Sequence, residues 1–177
     1  AAGPTSQFTF SVTNNATLTW SWAFSHRLAA SASANGTVSP TGGWYRAGTT
    51  AVVTSYPSAY YHLSTWSGET NDTTQIDNRL MIVMYEPHTV TATFAPNLTP
   101  THVVPEYWLA EYGWTQDFES AAEADADNDG MATWAEWRAD TDPTNTLSLL
   151  TFSALNPTTN GWEFVWVGGN LRTQQVQ

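Results

Sequence analysis

Three features of the sequence predict a mainly β fold with one short helical interruption. Apolar and polar residues alternate in short runs from Phe8 to about Pro96, which is the period of half-buried strands. Turn residues separate those runs at close intervals with no long helical pattern between them, as in a small antiparallel β module. A single acidic stretch, residues 125–136, breaks the alternation and has helix-like sequence on both sides.

In chain order, Gln7-Phe8-Thr9-Phe10-Ser11-Val12 is the first expected strand. Asn14-Asn15 turns it into a second over 17–24, because asparagine tolerates the left-handed conformation of a tight turn. There Leu18, Trp20, Trp22 and Phe24 share one face, so this strand is expected to be half buried. Further strands are expected at 26–33, 49–56, 60–66, 76–85 and 88–94. The turn signals between them are Asn35-Gly36, Pro40-Thr41-Gly42-Gly43, Ala47-Gly48, Pro57-Ser58 and Glu86-Pro87. Setting residue 9 against residue 81, an offset of 72, aligns Thr17-Leu18-Thr19-Trp20-Ser21-Trp22 with Thr89-Val90-Thr91-Ala92-Thr93-Phe94. The opening hairpin therefore reads as the tail of a preceding repeat.

Residues 97–104 are polar and punctuated by proline, the composition of a linker. Pro105 suits the first helical position, and a helix over 106–112 should stop at Gly113. A second helix over 116–124 places Phe118, Ala121 and Ala122 on one side, and a third runs from Thr133 to Ala139, halted near Asp142-Pro143. Strands return at 147–155 and 161–167, Gly168-Gly169-Asn170 turns the chain, and 171–177 begins another strand, like the C-terminal hairpin of a partial sandwich. The expected organisation is a hairpin (1–24), a β-repeat module (25–96), a linker (97–104), a helical connector (105–146) and C-terminal strands (147–177).

The acidic stretch has the layout of a calcium loop. Asp125, Asp127 and Asp129 occupy loop positions one, three and five, Gly130 position six, and Glu136 position twelve. A calcium ion takes about seven oxygens at roughly 2.3–2.6 Å, and this spacing wraps one turn of chain around a single ion. Gly130 permits the sharp turn, the Met131 carbonyl is the expected backbone ligand, Thr133 acts through water, and Glu136 closes the shell with both oxygens. The alternative is a solvated acidic loop with Thr133 capping the next helix. It leaves three close aspartates repelling one another without a neutralising cation.

Composition excludes several function classes. The 177 residues carry a formal net charge of −11, with five basic residues, all arginine (Arg27, Arg46, Arg79, Arg138, Arg172), so a nucleic-acid partner is not expected. The absence of lysine removes Schiff-base, P-loop and isopeptide chemistry, and the absence of cysteine removes disulfides, thiolate nucleophiles and cysteine-bound metals. No run approaches the roughly 18 apolar residues of a membrane span, so membrane insertion is not expected. No signal peptide remains at Ala1, and the chain is expected to be soluble, either mature or cut from something longer. Weak calcium loops fill best where calcium is abundant, which favours a secreted or cell-surface location.

Four motifs in order carry a resemblance between Leu28 and Phe94. They are Asn35-Gly36-Thr37-Val38-Ser39-Pro40, Gly43-Trp44-Tyr45-Arg46-Ala47-Gly48-Thr49-Thr50, Tyr61-His62-Leu63-Ser64-Thr65-Trp66-Ser67-Gly68 and Thr89-Val90-Thr91-Ala92-Thr93-Phe94. The segment resembles the divergent internalin-type B-repeat of bacterial surface proteins, which implies a compact extracellular β module, spacing or adhesion, and no catalytic residues. Asp125-Ala126-Asp127-Asn128-Asp129-Gly130, Trp134-Ala135-Glu136-Trp137 and Thr141-Asp142-Pro143-Thr144 resemble the bacterial thrombospondin type 3-like calcium repeat. Members of that family usually show glycine where Ala139 or Asp140 stands. Asp140 and Asp142 are expected to end the helix and cap its exit, with a place in the calcium shell as the other reading.

No nucleophile elbow accompanies the serines, and His26, His62, His88 and His102 lack the helical spacing of a zinc site. Of the ten tryptophans, Trp44 and Trp66, with Tyr45 and with Tyr60 and Tyr61 beside them, could face solvent and stack on sugar rings, against the plainer reading of core packing. Trp108, Tyr112, Trp114, Trp134 and Trp137 are expected to clamp the helices around the loop. The expectation is a noncatalytic structural or adhesive segment of a secreted or cell-surface bacterial protein, stapled by one Ca2+. Its expected partners are neighbouring modules or identical subunits, with fibre assembly by strand addition as an extension. The rival is a carbohydrate-binding module on a secreted enzyme, with polysaccharide as its partner.

Overall fold

The computed structural model describes residues 14, 15, 17, 19 and 21–168, and over these the chain forms ten strands and three short helices. The strands expected at 7–12 and 171–177 lie outside the described residues. The β module uses β1 (Ser25–Ala32), β2 (Gly36–Ser39), β3 (Gly42–Arg46), β4 (Thr50–Pro57), β5 (Tyr61–Gly68), β6 (Thr73–Ile76), β7 (Arg79–Val83) and β8 (His88–Pro96). They form two four-stranded sheets, ordered β3-β1-β8-β5 and β2-β4-β7-β6. Every pairing is antiparallel except β1 with β8, where Leu28 meets His88 and Ala32 meets Ala92 in parallel register. Parallel neighbours need a long crossover, and here the chain between them builds the second sheet.

Alternation positions the core as the sequence pattern requires. On β8, His88, Val90, Ala92 and Phe94 point inward while Thr89, Thr91 and Thr93 face out. They pack with Leu28, Val53, Trp66, Leu80, Ile82 and Met84 from the facing strands. Each large aliphatic side chain so buried contributes about 1.5–3 kcal/mol.

Three strands that sequence reasoning missed have local causes. β2 and β3 lie among the glycines and prolines read as turns. Gly36 is needed there for close approach, because a Cβ would collide with the Phe94 ring. β6 ends where the expected run 76–85 begins, and the strand of that run starts only at Arg79, because Asp77 turns left-handed (φ 50°) and Ile76 pairs back onto Arg79 as the end of a hairpin. Residues 21–24 are outside any strand, and Trp22 and Phe24, expected on a buried face, are 89% and 77% exposed. Alternation gave them a common face, but no sheet among the described residues covers it.

The chain then folds onto a second core. Leu98 and Pro105 form a bridge, the Val104 N–H donates to Thr99 Oγ1 at 3.0 Å, and Val104 is fully buried. Helix α1 (Glu106–Glu111) ends as expected at Gly113. With Gly113 at φ 100°, its N–H donates to the Ala110 carbonyl and the Trp114 N–H to that of Leu109, both at 3.1–3.3 Å, the paired bonds of a Schellman cap. Helix α2 (Phe118–Glu123) and helix α3 (Thr133–Ala139) complete the connector. Val104, Trp108, Leu109 and Ala122 form its buried centre, with Tyr107, Tyr112, Trp114, Phe118, Trp134 and Trp137 packed around it.

Finally β9 (Thr151–Thr158) pairs with β10 (Gly161–Val167) in a two-stranded antiparallel sheet. Phe152, Leu155, Trp162 and Phe164 remain exposed on it.

Candidate metal centre

The loop between α2 and α3 is shaped by its own aspartates. Asp125 accepts the Asp129 N–H (3.2 Å) on one oxygen and the Gly130 N–H (2.9 Å) on the other. Asp127 Oδ1 accepts the Asp129 N–H at 3.1 Å, and Asp129 Oδ1 accepts the Met131 N–H at 2.8 Å. Asn128 (φ 64°) and Gly130 (φ 96°) make the left-handed bends that turn these N–H groups inward. One carboxylate oxygen from each of Asp125, Asp127 and Asp129 lies within 4.8 Å of the others.

What remains unsatisfied is informative. Asp127 Oδ2, Asp129 Oδ2 and both oxygens of Glu136 are buried without a hydrogen-bond partner. Glu136 is fully buried on the first turns of α3. Burial, then the charges of Asp127, Asp129, Asp125 and Asp142, push its carboxyl up to about 7. A buried carboxylate without donors costs several kcal/mol. These oxygens are hard donors of the kind calcium takes. The ligand atoms of Asp125, Asp127 and Asp129 converge, whereas Glu136 stands outside that close group, near enough for their charges to raise its carboxyl.

Other expected residues take different places. The Thr133 hydroxyl donates to the Ala124 carbonyl at 3.0 Å, beside the Thr133 N–H at 2.8 Å. Thr133 thus fastens the end of α2 to the start of α3, while Ala132 occupies the N-cap. Asp140 adopts the left-handed conformation (φ 58°) at the end of α3, the position where glycine is favoured. Asp142 Oδ1 accepts the Thr144 N–H (3.0 Å) and hydroxyl (2.7 Å), capping the exit turn. Burial first, then the charges of Asp142, Glu111, Asp140 and Glu136, raises the Tyr112 phenol.

The aromatic clamp forms as expected. Trp108 lies 4.9 Å from Tyr112 and 5.2 Å from Trp137, and the Arg138 guanidinium sits 5.0 Å over Trp134. Sequence reasoning missed His102, which stacks on Trp134 at 5.0 Å and faces Glu119 at 4.0 Å and Glu123 at 3.9 Å. Burial alone would raise the Glu119 carboxyl, but hydrogen bonds from Thr101 and the neighbouring His102 leave it lowered. The i, i+4 spacing of Glu119 and Glu123 was visible in the sequence, whereas the turn that brings His102 to them was not.

The sugar platform, the alternative to core packing, is not assembled from these residues. Trp66 is buried in the β core, Tyr45 packs against that core, and only Trp44 is largely exposed, opposite Arg27. Tyr60 and Tyr61 are turned onto the connector, where they meet Phe118 and Tyr107.

Residues 26–98 match the family model of the divergent InlB B-repeat domain. Neither the curated proteins nor the solved structures hold a match to the chain.

Proposed function

Starting from a β module similar to the divergent InlB B-repeat domain, we propose that this chain is a noncatalytic spacer of a bacterial surface or secreted protein, stapled by one calcium ion. The observation that carries the calcium reading is Glu136, fully buried with both oxygens unpartnered beside three aspartates. Asp125, Asp127, Asp129 and Glu136 would hold the ion, with the Met131 carbonyl as backbone ligand. Calcium supplies the positive charge that lets these carboxylates ionise together.

The role follows from where the charge lies. Residues 99–146 carry eleven of the sixteen carboxylates and one arginine, so the connector repels itself unless a cation is bound. Binding only to the folded form stabilises it by about 2.7 kcal/mol at a hundredfold excess over Kd. A connector of this kind orders where calcium is abundant, outside the cell. No helix among the described residues is long and apolar enough to cross a membrane.

Thermal melts in millimolar calcium and in chelator, on the native chain and on Asp127→Ala with Glu136→Ala, test this reading. Calcium should raise the melt of the native chain alone. An equal rise in the double variant, or none in either, removes the metal centre. Assembly by strand addition, the extension of this role, would use sheet edges, which among the described residues are β3 and β5 in one sheet and β2 and β6 in the other. Light scattering across a wide concentration range tests it, and a strictly monomeric mass excludes it.

A further inference from the structure

The β module and the connector meet through two adjacent tyrosines. Tyr60 precedes β5 with φ 67°, a strained conformation for a bulky aromatic. Its carbonyl accepts the Asn97 N–H at 2.8 Å, and its ring meets Phe118 edge-on at 5.6 Å. Tyr61 stacks on Tyr107 of α1 at 5.6 Å, with planes 10° apart. Asn97 completes the joint: its carbonyl accepts the Glu106 N–H at 2.9 Å, and its amide donates to the Glu106 carboxylate at 3.1 Å. Two neighbouring rings, one just before β5 and one at its first position, thus reach two different helices.

Both contacts lead to the acidic loop. Phe118 opens α2, and the carbonyl that follows α2, that of Ala124, is held by the Thr133 N–H and hydroxyl at the start of α3. On the other side Trp137 of α3 packs against Trp108, the residue after Tyr107. The segment 124–132, which carries the three aspartates, joins α2, where Phe118 is the first residue, to α3, which carries Glu136 and Trp137. Helices of six and seven residues do not persist without tertiary support. When repulsion among Asp125, Asp127, Asp129 and Glu136 spreads α2 from α3, Phe118 and Trp137 shift together, and with them the supports of Tyr60 and Tyr61.

We infer that ion binding at the loop locks the angle between the β module and the connector, with Tyr60–Phe118 and Tyr61–Tyr107 as the coupling contacts. The inference rests on the calcium reading above and assigns it a consequence at a distance. The strained Tyr60 backbone holds only while its surroundings over-determine it, so it depends on the contacts that Phe118 and Asn97 make with it.

The chain has no cysteine, so Gln75→Cys and Gln116→Cys, both at exposed positions, give a unique spin-labelled pair across the joint. Pulsed electron–electron resonance should show one narrow distance distribution in millimolar calcium and a broad one in chelator. With Tyr60→Ala and Tyr61→Ala added, the distribution should stay broad in calcium even though calorimetry still detects calcium uptake. A distribution of equal width with and without calcium, in a labelled chain that calorimetry shows to bind the ion, overturns the coupling and leaves the metal centre standing. Narrowing retained in the tyrosine variant also overturns it. Absence of calcium uptake in the native chain overturns the metal centre and the coupling with it.

Discussion

Glu136→Gln should remove a pH dependence that runs opposite to ordinary acid denaturation. The Glu136 carboxyl keeps its proton to about 7 in the folded chain and ionises near 4.5 when unfolded. Between those values the folded state binds one proton more than the unfolded state, so stability falls as pH rises. The contribution is fully present below the unfolded value and lost once pH passes the folded one. At about 1.36 kcal/mol per pH unit, the whole window amounts to about 3 kcal/mol. For a chain of this length that corresponds to roughly 6–12 °C in the melt. Urea unfolding followed by tryptophan fluorescence is the assay, because Trp134 and Trp137 flank Glu136 on α3. Subtracting the variant's stability from that of the native chain removes the contribution of the other carboxylates. In chelator this difference should fall by about 3 kcal/mol between pH 4.5 and 7. In saturating calcium the fall should vanish, because the cation neutralises the ionised carboxylate. A level difference curve in chelator refutes the burial argument, and a curve unaffected by calcium refutes contact between Glu136 and the ion.

Three further outcomes follow from packing and backbone geometry. Gly113→Ala should lower stability by about 1 kcal/mol through its left-handed φ alone, since a Cβ there meets nothing within 4 Å; a thermal melt reads this directly. Leu109→Ala, at the fully buried centre of the connector, should cost about 2–5 kcal/mol and abolish the calcium-dependent rise in the melt under conditions where the connector no longer folds. Trp44→Ala should leave stability within about 0.5 kcal/mol, because the ring is exposed, and affinity electrophoresis should show no polysaccharide retardation in either chain.

Much of the fold was legible because it rests on local period. The strand at 88–94 and the helix from Thr133 to Ala139 match β8 and α3 closely, as each carries one uninterrupted pattern and a clear stop. β2, β3 and β6 were hidden because glycine, proline and aspartate serve there as close-contact or hairpin residues inside strands, and local reading treats them as boundaries. Trp66 illustrates the limit on site reading. Alternation could say that it shares a face with its neighbours, but which face the second sheet would cover was a tertiary fact. The aspartates of the loop were legible because their spacing is itself the geometry, since each folds back on N–H groups no more than five residues away. Tyr60, Tyr61 and His102 were not, because their partners lie on elements brought close only by the turn at 97–105.

The parallel pairing of β1 with β8 has a mechanical consequence. The first and last strands of the β module lie side by side and point the same way, so the flanking chain enters at one end and leaves at the other. The pairing of Leu28 with His88 places Pro96 about 36 Å along the strand axis from Ser25. Tension drawn through the flanking chain therefore pulls the two strands along their length in opposite directions. Their hydrogen bonds are loaded together in shear and do not peel apart one after another. Separating the two ends of the module by such a pull requires breaking these bonds as a set.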